Sequence, residues 1–510
     1  MAILATEASE DGKVKSLVNL LMDQDKKSLQ ETNALYDEYI DEWGFLLAAY
    51  EGTKALVDWG AIERHEREST DNYNRRKKEA YGPGYSRSVI DLFNFYQFKS
   101  PVKRQLDSTG ESDEWNDFEQ DADREGNSID DFMMDASKYA DILGHVGIMV
   151  NMPEGNFQTE AQRKEAKARP YCAMYFPQSI LDWKYERTNT GARQLTYLKL
   201  LDCDGYYHLW YLDHWEKWEI VQADNKNKDE TAQRIGYGSN RLNEIPFVML
   251  KCDKSSNRDI GRSDLTDIAR LDVSIVRNLS QGEEIINYGA FPMLMKPYRE
   301  EGQTAETGDD VGPTAVLGFD PEHPESKPDW LKAEVKDPIE AILKWIERKV
   351  DEIYRASNAG GMAGTEIQSQ AKSGVALRAE FQLLNGKLIK KSTNNVKAQR
   401  RIINYWHLWL GKDVPGQLTI ERPKTFEVEN LAADLENAMT SKSIVSSTTF
   451  RKQLQKLVVR LMLPTADDEV LGSIDKEIDE QKEADLLNPL KSFMEGEDSG
   501  KPDDSSPQEE

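Results

Sequence analysis

Apolar residues recur every three or four positions along most of this 510-residue chain, which is the spacing that places them on one face of a helix. The pattern predicts helices within residues 12–80 and again, after the breaking sequence YGPGYSRS, within 89–102. It returns at 132–143 in FMMDASKYADIL, which leads directly into an apolar strand, GHVGIMVNMP. The first 150 residues are therefore expected to be mainly helical.

Residues 170–250 carry a different pattern. Short aromatic and β-branched segments, such as YCAMYFP and GYYHLWYLDHWEKWEIV, are separated by the turn sequences NTG and CDG. Segments of this kind, bounded by turn residues, are typical of strands. We therefore predict a small β-rich domain inside a mainly helical chain, and the fold class is α+β.

Two further helices are predicted on either side of an insert. The first follows Ser263, a residue suited to the N-cap position. Its apolar face consists of Leu265, Ile268, Ile275, Leu279 and Ile286. Residues 291–335 are punctuated by proline and glycine and contain three short strand-like segments. The second helix is predicted to open at Asp337 and Pro338, an N-cap followed by proline at the first helical position.

A third helix is predicted to be much longer. After the small residues of 358–372, the segment 373–410 contains no proline and repeats its apolar residues in a four-three-four rhythm. The residues that carry this rhythm are Leu377, Phe381, Leu384, Leu388, Ile402, Trp406 and Leu410. The segment therefore predicts a helix far longer than the average one.

The middle of this helix is strongly basic. Between Lys372 and Arg401 there are eight basic residues and a single acid, Glu380. We favour an acidic surface of the same protein or of an identical neighbour as their partner over DNA, because aromatic residues are not interleaved with the cations as single-strand binding requires. The six candidates for such an interface, or for DNA contact, are Lys387, Lys390, Lys391, Lys397, Arg400 and Arg401.

The chain as a whole is acidic, with a formal net charge of −26. Such a surface repels phosphate backbones, which argues against nucleic-acid binding by general charge neutralisation. Three cysteines without a CxxC pair argue against a disulfide framework or a zinc site and favour a reducing compartment. Neither a signal-peptide pattern nor an apolar stretch of membrane length occurs. Composition predicts a disordered acidic tail at 491–510.

Catalytic and cofactor motifs are absent from the sequence. It contains no GxxxxGK[ST] loop, and IGYGSN lacks the third glycine of the dinucleotide fingerprint. It also contains no HExxH pair and no GxSxG elbow. We therefore predict that the protein is not an enzyme and needs no cofactor.

The best candidate for a metal site is DADREGNSIDDF, residues 121–132. Five of its residues match positions 1, 3, 5, 6 and 9 of a calcium loop, namely Asp121, Asp123, Glu125, Gly126 and Ile129. Position 12, however, is Phe132, where a bidentate glutamate is required, and the usually apolar position 8 is Ser128. We predict a plain acidic loop and no metal.

The order of the elements resembles that of the portal proteins of tailed bacteriophages, which form the ring at one capsid vertex through which double-stranded DNA enters and leaves. The most specific resemblance lies in NEIPFVML followed by GRSDLTDIARLDVSIVRNLS, and in NAGGMAGTEIQSQAKSGVALRAEFQLL. The resemblance covers roughly residues 80–480 and includes no catalytic signature.

This resemblance implies a portal-like fold with wing, stem, clip and crown regions. The stem would line the channel, the clip would dock the packaging motor and the head–tail adaptor, and a tunnel loop would approach DNA. The regions would be the wing at 1–262, including the β-rich piece at 170–250; stem helix 1 at 263–290; the clip at 291–335; stem helix 2 at 336–357; the tunnel loop at 358–372; the long wing helix and return strand at 373–435; the crown at 436–490; and the tail at 491–510.

The resemblance also implies site residues and partners. The DNA-facing residues of the tunnel loop would be Gly360, Gly361, Met362, Gly364, Thr365 and Glu366. The docking residues of the clip would be Tyr298, Arg299, Glu300, Phe319 and Trp330. The partners would be identical subunits in a ring, usually a dodecamer, the terminase large subunit, the head–tail adaptor, the major capsid and scaffold proteins, and double-stranded DNA, with no membrane. The location would be the virion, after assembly in the host bacterial cytoplasm.

The net negative charge of the chain is consistent with this role. An acidic channel offers few cations to replace the counterions of DNA, so the duplex can slide. The basic helix is then expected at subunit interfaces or beneath the capsid shell. Two other functions stay open. One is an acidic helical scaffold or adaptor that forms no channel, and the other is a metal-dependent hydrolase that uses the carboxylates at 121–131.

Overall fold

The computed structural model has an α+β fold, as predicted. It consists of two compact units, residues 1–426 and residues 427–510. The residues that it describes are 26–66, 68–105, 113–153, 159–222, 230–290, 293–295, 329–331, 335–358, 374–412, 418–422, 447–463 and 468–480.

A short helical segment at 26–30 and four longer helices open the first unit. Their starts follow local capping signals: the Asn33 side chain accepts a hydrogen bond from the Leu35 N–H, and the Ser69 hydroxyl accepts one from the Asn72 N–H. Their apolar faces form one core, which includes Trp43. The helices are α1 (Ala34–Glu51), α2 (Thr53–Trp59), α3 (Thr70–Glu79) and α4 (Tyr85–Phe98).

A second core lies between a small antiparallel sheet and its neighbouring helices. The sheet has the order β3-β2-β9, and its central strand is almost fully buried. A separate two-stranded ladder pairs β1 with β14. The elements are β1 (Lys103–Gln105), α5 (Asp113–Gln120), α6 (Ile129–Leu143), β2 (His145–Asn151), α7 (Glu160–Glu165), β3 (Tyr171–Tyr175), β9 (Phe247–Lys251) and β14 (Thr419–Glu421).

The β-rich piece predicted at 170–250 is present as an antiparallel meander of five strands beside β3 and β9. Trp183, Leu198 and Trp210 are buried together in its core. Leu29 packs with Leu209 in a separate cluster on the sheet. The strands, which follow a short 3₁₀ helix at Pro177–Ser179, are β4 (Ile180–Arg187), β5 (Arg193–Leu201), β6 (Tyr207–Tyr211), β7 (His214–Gln222) and β8 (Glu230–Ser239).

Two long helices follow the sheet and pack against each other through Val276, Val350 and Ile353 in the core of the N-terminal helices. The two ends of the insert between them are joined, because β12 and β13 pair in antiparallel register with Leu294 opposite Trp330. The elements are β10 (Asp253–Lys254), β11 (Gly261–Arg262), α8 (Ile268–Ala290), β12 (Met293–Met295), β13 (Asp329–Leu331) and α9 (Lys336–Ser357).

Both predicted helix starts need correction. The Ser263 hydroxyl accepts a hydrogen bond from the Leu265 N–H at 2.9 Å, but this caps a turn, and α8 begins only at Ile268. Helix α9 begins at Lys336, so Asp337 lies in its first turn and does not cap it. An acid in the first turn still interacts favourably with the helix dipole.

The long helix, α10 (Gly374–Trp409), has 36 residues. Leu384, Leu388, Ile402 and Trp406 are buried, as the apolar rhythm predicts. Leu410 lies in the turn that follows the helix, and the side chains of 374–381 lie outside the described residues.

The second unit contains α11 (Thr448–Met462) and α12 (Asp468–Glu480). The Ser447 hydroxyl caps α11 by accepting a hydrogen bond from the Phe450 N–H. The two helices are joined by ion pairs, including Lys456–Asp479 at 2.7 Å. Across both units, none of the described helices combines the length and the apolar character that crossing a membrane requires.

A buried charge cluster on the long helix as candidate functional site

The middle of α10 meets acidic groups of its own chain. Lys391 is only 4% exposed, and its ammonium contacts the carboxylate of Asp141 and lies 2.5 Å from Asp264 Oδ2. The same Nζ atom lies 3.1 Å from the sulfur of Cys252. One turn earlier, Lys387 pairs with the other oxygen of Asp264 at 3.1 Å. We call Lys391, Asp141, Asp264 and Cys252 the Lys391 cluster; with Lys387 it brings together two cations and two carboxylates.

A close approach of two backbone segments brings the two aspartates together. Gly144, at φ +88°, ends α6 beside Gly261. A Cβ atom on Gly144 would lie 2.4 Å from the Gly261 carbonyl oxygen, and one on Gly261 would lie 2.0 Å from the Gly144 oxygen. Both positions therefore require glycine. The contact also allows Ser263 Oγ to donate to the carbonyls of Asp141 and Ile142, at 3.1 and 2.6 Å. The Asp264 N–H donates to the Asp141 carbonyl as well, at 3.0 Å, so these two carbonyls at the C-terminal end of α6 are hydrogen-bonded.

Further polar side chains continue the cluster along α10. Asn395, one turn after Lys391, donates to Gln97 at 3.2 Å and to Ser137 at 3.1 Å. The Gln97 amide donates in turn to Asp141 at 3.4 Å. Because these groups are buried and bonded to one another, α4, α6 and α10 are held in one specific arrangement.

Electrostatics keep the cluster charged. Burial disfavours the ammonium of Lys391, but the two aspartates outweigh this and raise its pKa well above the ordinary value. Burial also disfavours the carboxylate of Asp264, yet Lys391 and Lys387 hold its pKa below the usual range. Burial and the charge of Asp264 raise the pKa of Asp141, and Lys391 offsets only part of this. Burial raises the pKa of the Cys252 thiol well above its usual value, so the thiol stays protonated.

The cluster also has the spacing of a metal site, because ligand atoms of Asp141, Cys252 and Asp264 all lie within 4.8 Å of one another. The Lys391 ammonium, however, contacts all three groups. The protein itself thus supplies the cation that these groups require. The arrangement acts as an anchor for the long helix, since removing one partner of a buried ion pair leaves an uncompensated buried charge.

The acidic loop at 121–131 is satisfied in a similar way by its own chain. Asp121 accepts a hydrogen bond from the Gly126 N–H at 2.9 Å, and Asp123 accepts one from the Glu125 N–H at 2.9 Å. The second oxygen of Asp121 lies 2.5 Å from the Arg169 guanidinium. Asp121 and Asp123 are therefore bonded within their own chain, and the absence of a metal from this loop stays a prediction.

The predicted basic residues of α10 divide into two groups. Lys387, Lys390 and Lys391 pair with acids of the same chain, Lys390 with Asp253 at 2.5 Å. The other three are exposed and form no ion pair within the described residues: Lys397, Arg400 and Arg401. A role at a subunit interface or on DNA stays a prediction, and Lys391 is enclosed within its own subunit.

Most of the other predicted site residues lie outside the described part of the chain. This holds for the tunnel-loop residues Gly360, Gly361, Met362, Gly364, Thr365 and Glu366, and for the clip residues Tyr298, Arg299, Glu300 and Phe319. Trp330 pairs through its backbone with Leu294. Their assigned roles stay predictions.

From the sequence we named Lys391 as a candidate but not its partners, although the spacing of residues along α10 indicates that Lys391 is buried. Lys391 and Asn395 continue the apolar rhythm of Leu384 and Leu388, so both lie on the face that the helix buries. Asp141 likewise lies within an apolar helical segment. A charged residue at a core position requires a buried partner of opposite charge.

Comparisons with known proteins gave structural neighbours only. No family model matches the chain, and no curated protein matches it. The chain is similar to a chain from the neck of an empty gene transfer agent (GTA) particle computed with C6 symmetry, with 13% identity and a TM-score of 0.42 over 81% of this chain and 98% of that one. It is also similar to a chain from the virion of a native GTA particle, with 10% identity and a TM-score of 0.41 over 79% and 98%. At these values the likeness leaves family and function open.

Proposed function

We propose that this chain is a structural subunit of a phage-type head-to-tail connector. More specifically, we propose that it is a portal protein, whose ring forms the channel for packaging and ejection of double-stranded DNA. The observation that carries the proposal is the arrangement of α8 and α9, which pack side by side and enclose an insert whose ends pair as β12 and β13. The long helix α10 follows, as in the portal order of stem, clip, stem and wing.

The two stem helices carry apolar side chains that their own subunit leaves exposed. Ile286 on α8 and Leu343 and Trp345 on α9 are all exposed. In a ring, each helix pair would have a copy of itself on either side, and these side chains would become buried there. The stem would then line the channel, with the clip at 291–335 as docking site for the terminase and the head–tail adaptor.

The charges fit the same proposal. The acidic chain would present DNA with few fixed cations, so the duplex would slide without exchanging its counterions. The exposed cations of α10, Lys397, Arg400 and Arg401, would meet an acidic surface of the neighbouring subunit or of the capsid. The Lys391 cluster would fix the long helix within each subunit.

Electron microscopy of the purified full-length chain tests the proposal. We expect rings with a central hole wide enough for duplex DNA. A uniform population of particles without a ring, with scaffold and capsid protein also present, would instead support the acidic scaffold or adaptor.

Charge reversal tests the role of α10. Glutamate at all three exposed cations, Lys397, Arg400 and Arg401, should reduce ring formation. A matched control places glutamate at three exposed cations elsewhere, Lys54, Lys78 and Arg241. Normal rings in the α10 variant, with a defect only in DNA passage, would assign these cations to DNA and contradict the interface.

A further inference from the structure

The Lys391 cluster contains an amine and a thiol in direct contact, and the role of the cluster as an anchor does not explain this contact. Lys391 Nζ lies 3.1 Å from Cys252 Sγ, and both residues are buried. A cavity of about 10 Å³ lies beside them, lined by both residues together with Asp141 and Asn395. This is about the space that one water molecule needs. The cavity therefore has room for one small molecule beside the sulfur and the nitrogen.

We propose that Cys252 and Lys391 form an oxidative crosslink in which a single oxygen atom bridges Sγ and Nζ. The oxidant is a peroxide, and hydrogen peroxide is the reagent that tests the proposal. One bridging oxygen suits the geometry, because a direct sulfur–nitrogen bond would require the two atoms to approach much more closely than 3.1 Å.

The reaction balances in two steps. In the first step, the O–O bond of peroxide and the S–H bond of Cys252 break. One oxygen bonds to the sulfur as a sulfenic acid, and the other takes up the thiol proton and leaves as water. In the second step, another peroxide oxidises the sulfenic acid and the ammonium together: the O–H bond and one N–H bond break, the O–N bond forms, and two waters leave. The ammonium also releases one proton. The protein thus loses four electrons to two peroxide molecules.

The cluster supplies an acceptor for that proton. The carboxylates of Asp141 and Asp264 contact the ammonium directly. Asp141 is the better acceptor, since burial and the charge of Asp264 raise its pKa while the pKa of Asp264 is lowered. Asn394 holds the backbone of Cys252 against α10 by donating to its carbonyl at 3.1 Å. The two side chains therefore stay aligned during the reaction.

The other two cysteines are matched controls within the same chain. Cys172 is buried, and burial raises the pKa of its thiol, but among the described residues no amine is bonded to its sulfur. Cys203 is exposed. The proposal predicts that peroxide converts Cys203 to simple oxygen adducts, links Cys252 to a lysine, and forms no linked species at Cys172.

The experiment treats the full-length protein with hydrogen peroxide, removes the peroxide, and maps the protease digest by mass spectrometry. We expect one linked species that contains Cys252 and Lys391, with a mass equal to both peptides plus one oxygen and minus two hydrogens. A thiol reductant should release the two peptides again. The species should be absent from the Cys252→Ala variant and unchanged in Cys203→Ala.

Three results would overturn the proposal. The first is a free Cys252 thiol at peroxide levels that fully oxidise Cys203. The second is Cys252 oxidised without a link to Lys391, and the third is a linked mass that lacks the oxygen. All three results are measured on the wild-type protein, so the test does not depend on whether a variant folds.

Discussion

Two groups of aspartates in this chain are neutralised by a cation from a distant segment, and they differ in where they lie. The loop at 121–131 is on the surface, where Arg169 pairs with Asp121. The Lys391 cluster is in the interior, where one ammonium contacts two carboxylates. The loop is conspicuous in the sequence and the cluster is not. A dense run of acids therefore says little about function here, whereas a single acid in an apolar segment marks a buried junction.

The energetics of the two groups differ as well. A partly exposed ion pair contributes about 0–1 kcal/mol, because water and salt screen it. A buried pair adds little net stability when complete, but losing one partner costs about 3–5 kcal/mol. Substitutions should therefore separate the two regions clearly.

The largest effect is expected for Lys391→Met, which leaves Asp141 and Asp264 without their shared cation. The free energy of unfolding should fall by about 3–5 kcal/mol, measured by urea denaturation. Lys390→Met is the control, because that side chain is 53% exposed and its loss should cost less than about 1 kcal/mol. Equal effects of the two substitutions would contradict the distinction between a buried and an exposed pair.

Gly261→Ala tests the backbone contact that brings the two aspartates together. The added Cβ would lie 2.0 Å from the Gly144 oxygen, so one segment must move. A loss of about 1–3 kcal/mol is expected from such overpacking. Gly386→Ala on α10 is the control; it has open space around it and should be neutral or slightly stabilising. A Gly261→Ala protein as stable as wild type would show that the contact is not needed.

A pH dependence should arise from His145, which packs beside the same glycine contact. Burial, assisted by Lys251, lowers its pKa to about 3. Since the folded-state pKa lies below the unfolded value of about 6.5, the unfolded chain binds more protons as the pH falls. Stability is full above pH 6.5 and declines towards pH 3, by about 2 kcal/mol at pH 5. Urea denaturation at pH 7 and pH 5 should show this decline in wild type and a smaller one in His145→Gln; equal declines in both would assign the effect to other groups.

The smallest effects are expected in the loop at 121–131. Arg169→Met removes an ion pair and a backbone hydrogen bond, both to Asp121, and should reduce the free energy of unfolding by about 1 kcal/mol. Specific metal binding would raise the melting temperature by mass action. Because we predict no metal site in this loop, millimolar calcium, magnesium or manganese should leave the melting temperature unchanged. A clear rise with any of these ions, reversed by a chelator, would revive the metal-dependent hydrolase.

The sequence predicted the helices and strands better than the contacts between them. The period-3.6 pattern placed the helices and the buried face of α10, because burial of one helix face imposes that period on the chain. Short aromatic and β-branched segments between turn residues placed the β-rich piece. The helix starts were less well placed, since Ser263 bonds to the distant end of α6 as well as to its own turn. The partners of Lys391 could not be paired from sequence, because Asp141 is 250 residues away and only the fold brings it near.

Pairing of β12 with β13 makes the insert between α8 and α9 a replaceable module. Because Met293 faces Leu331 and Met295 faces Asp329, the chain leaves and re-enters the helix pair at neighbouring points. The length and sequence of whatever lies between can then change without altering the distance that the two helices must span. In evolution, or at the bench, the segment between these two strands could be exchanged at this junction while the helix pair stays unchanged.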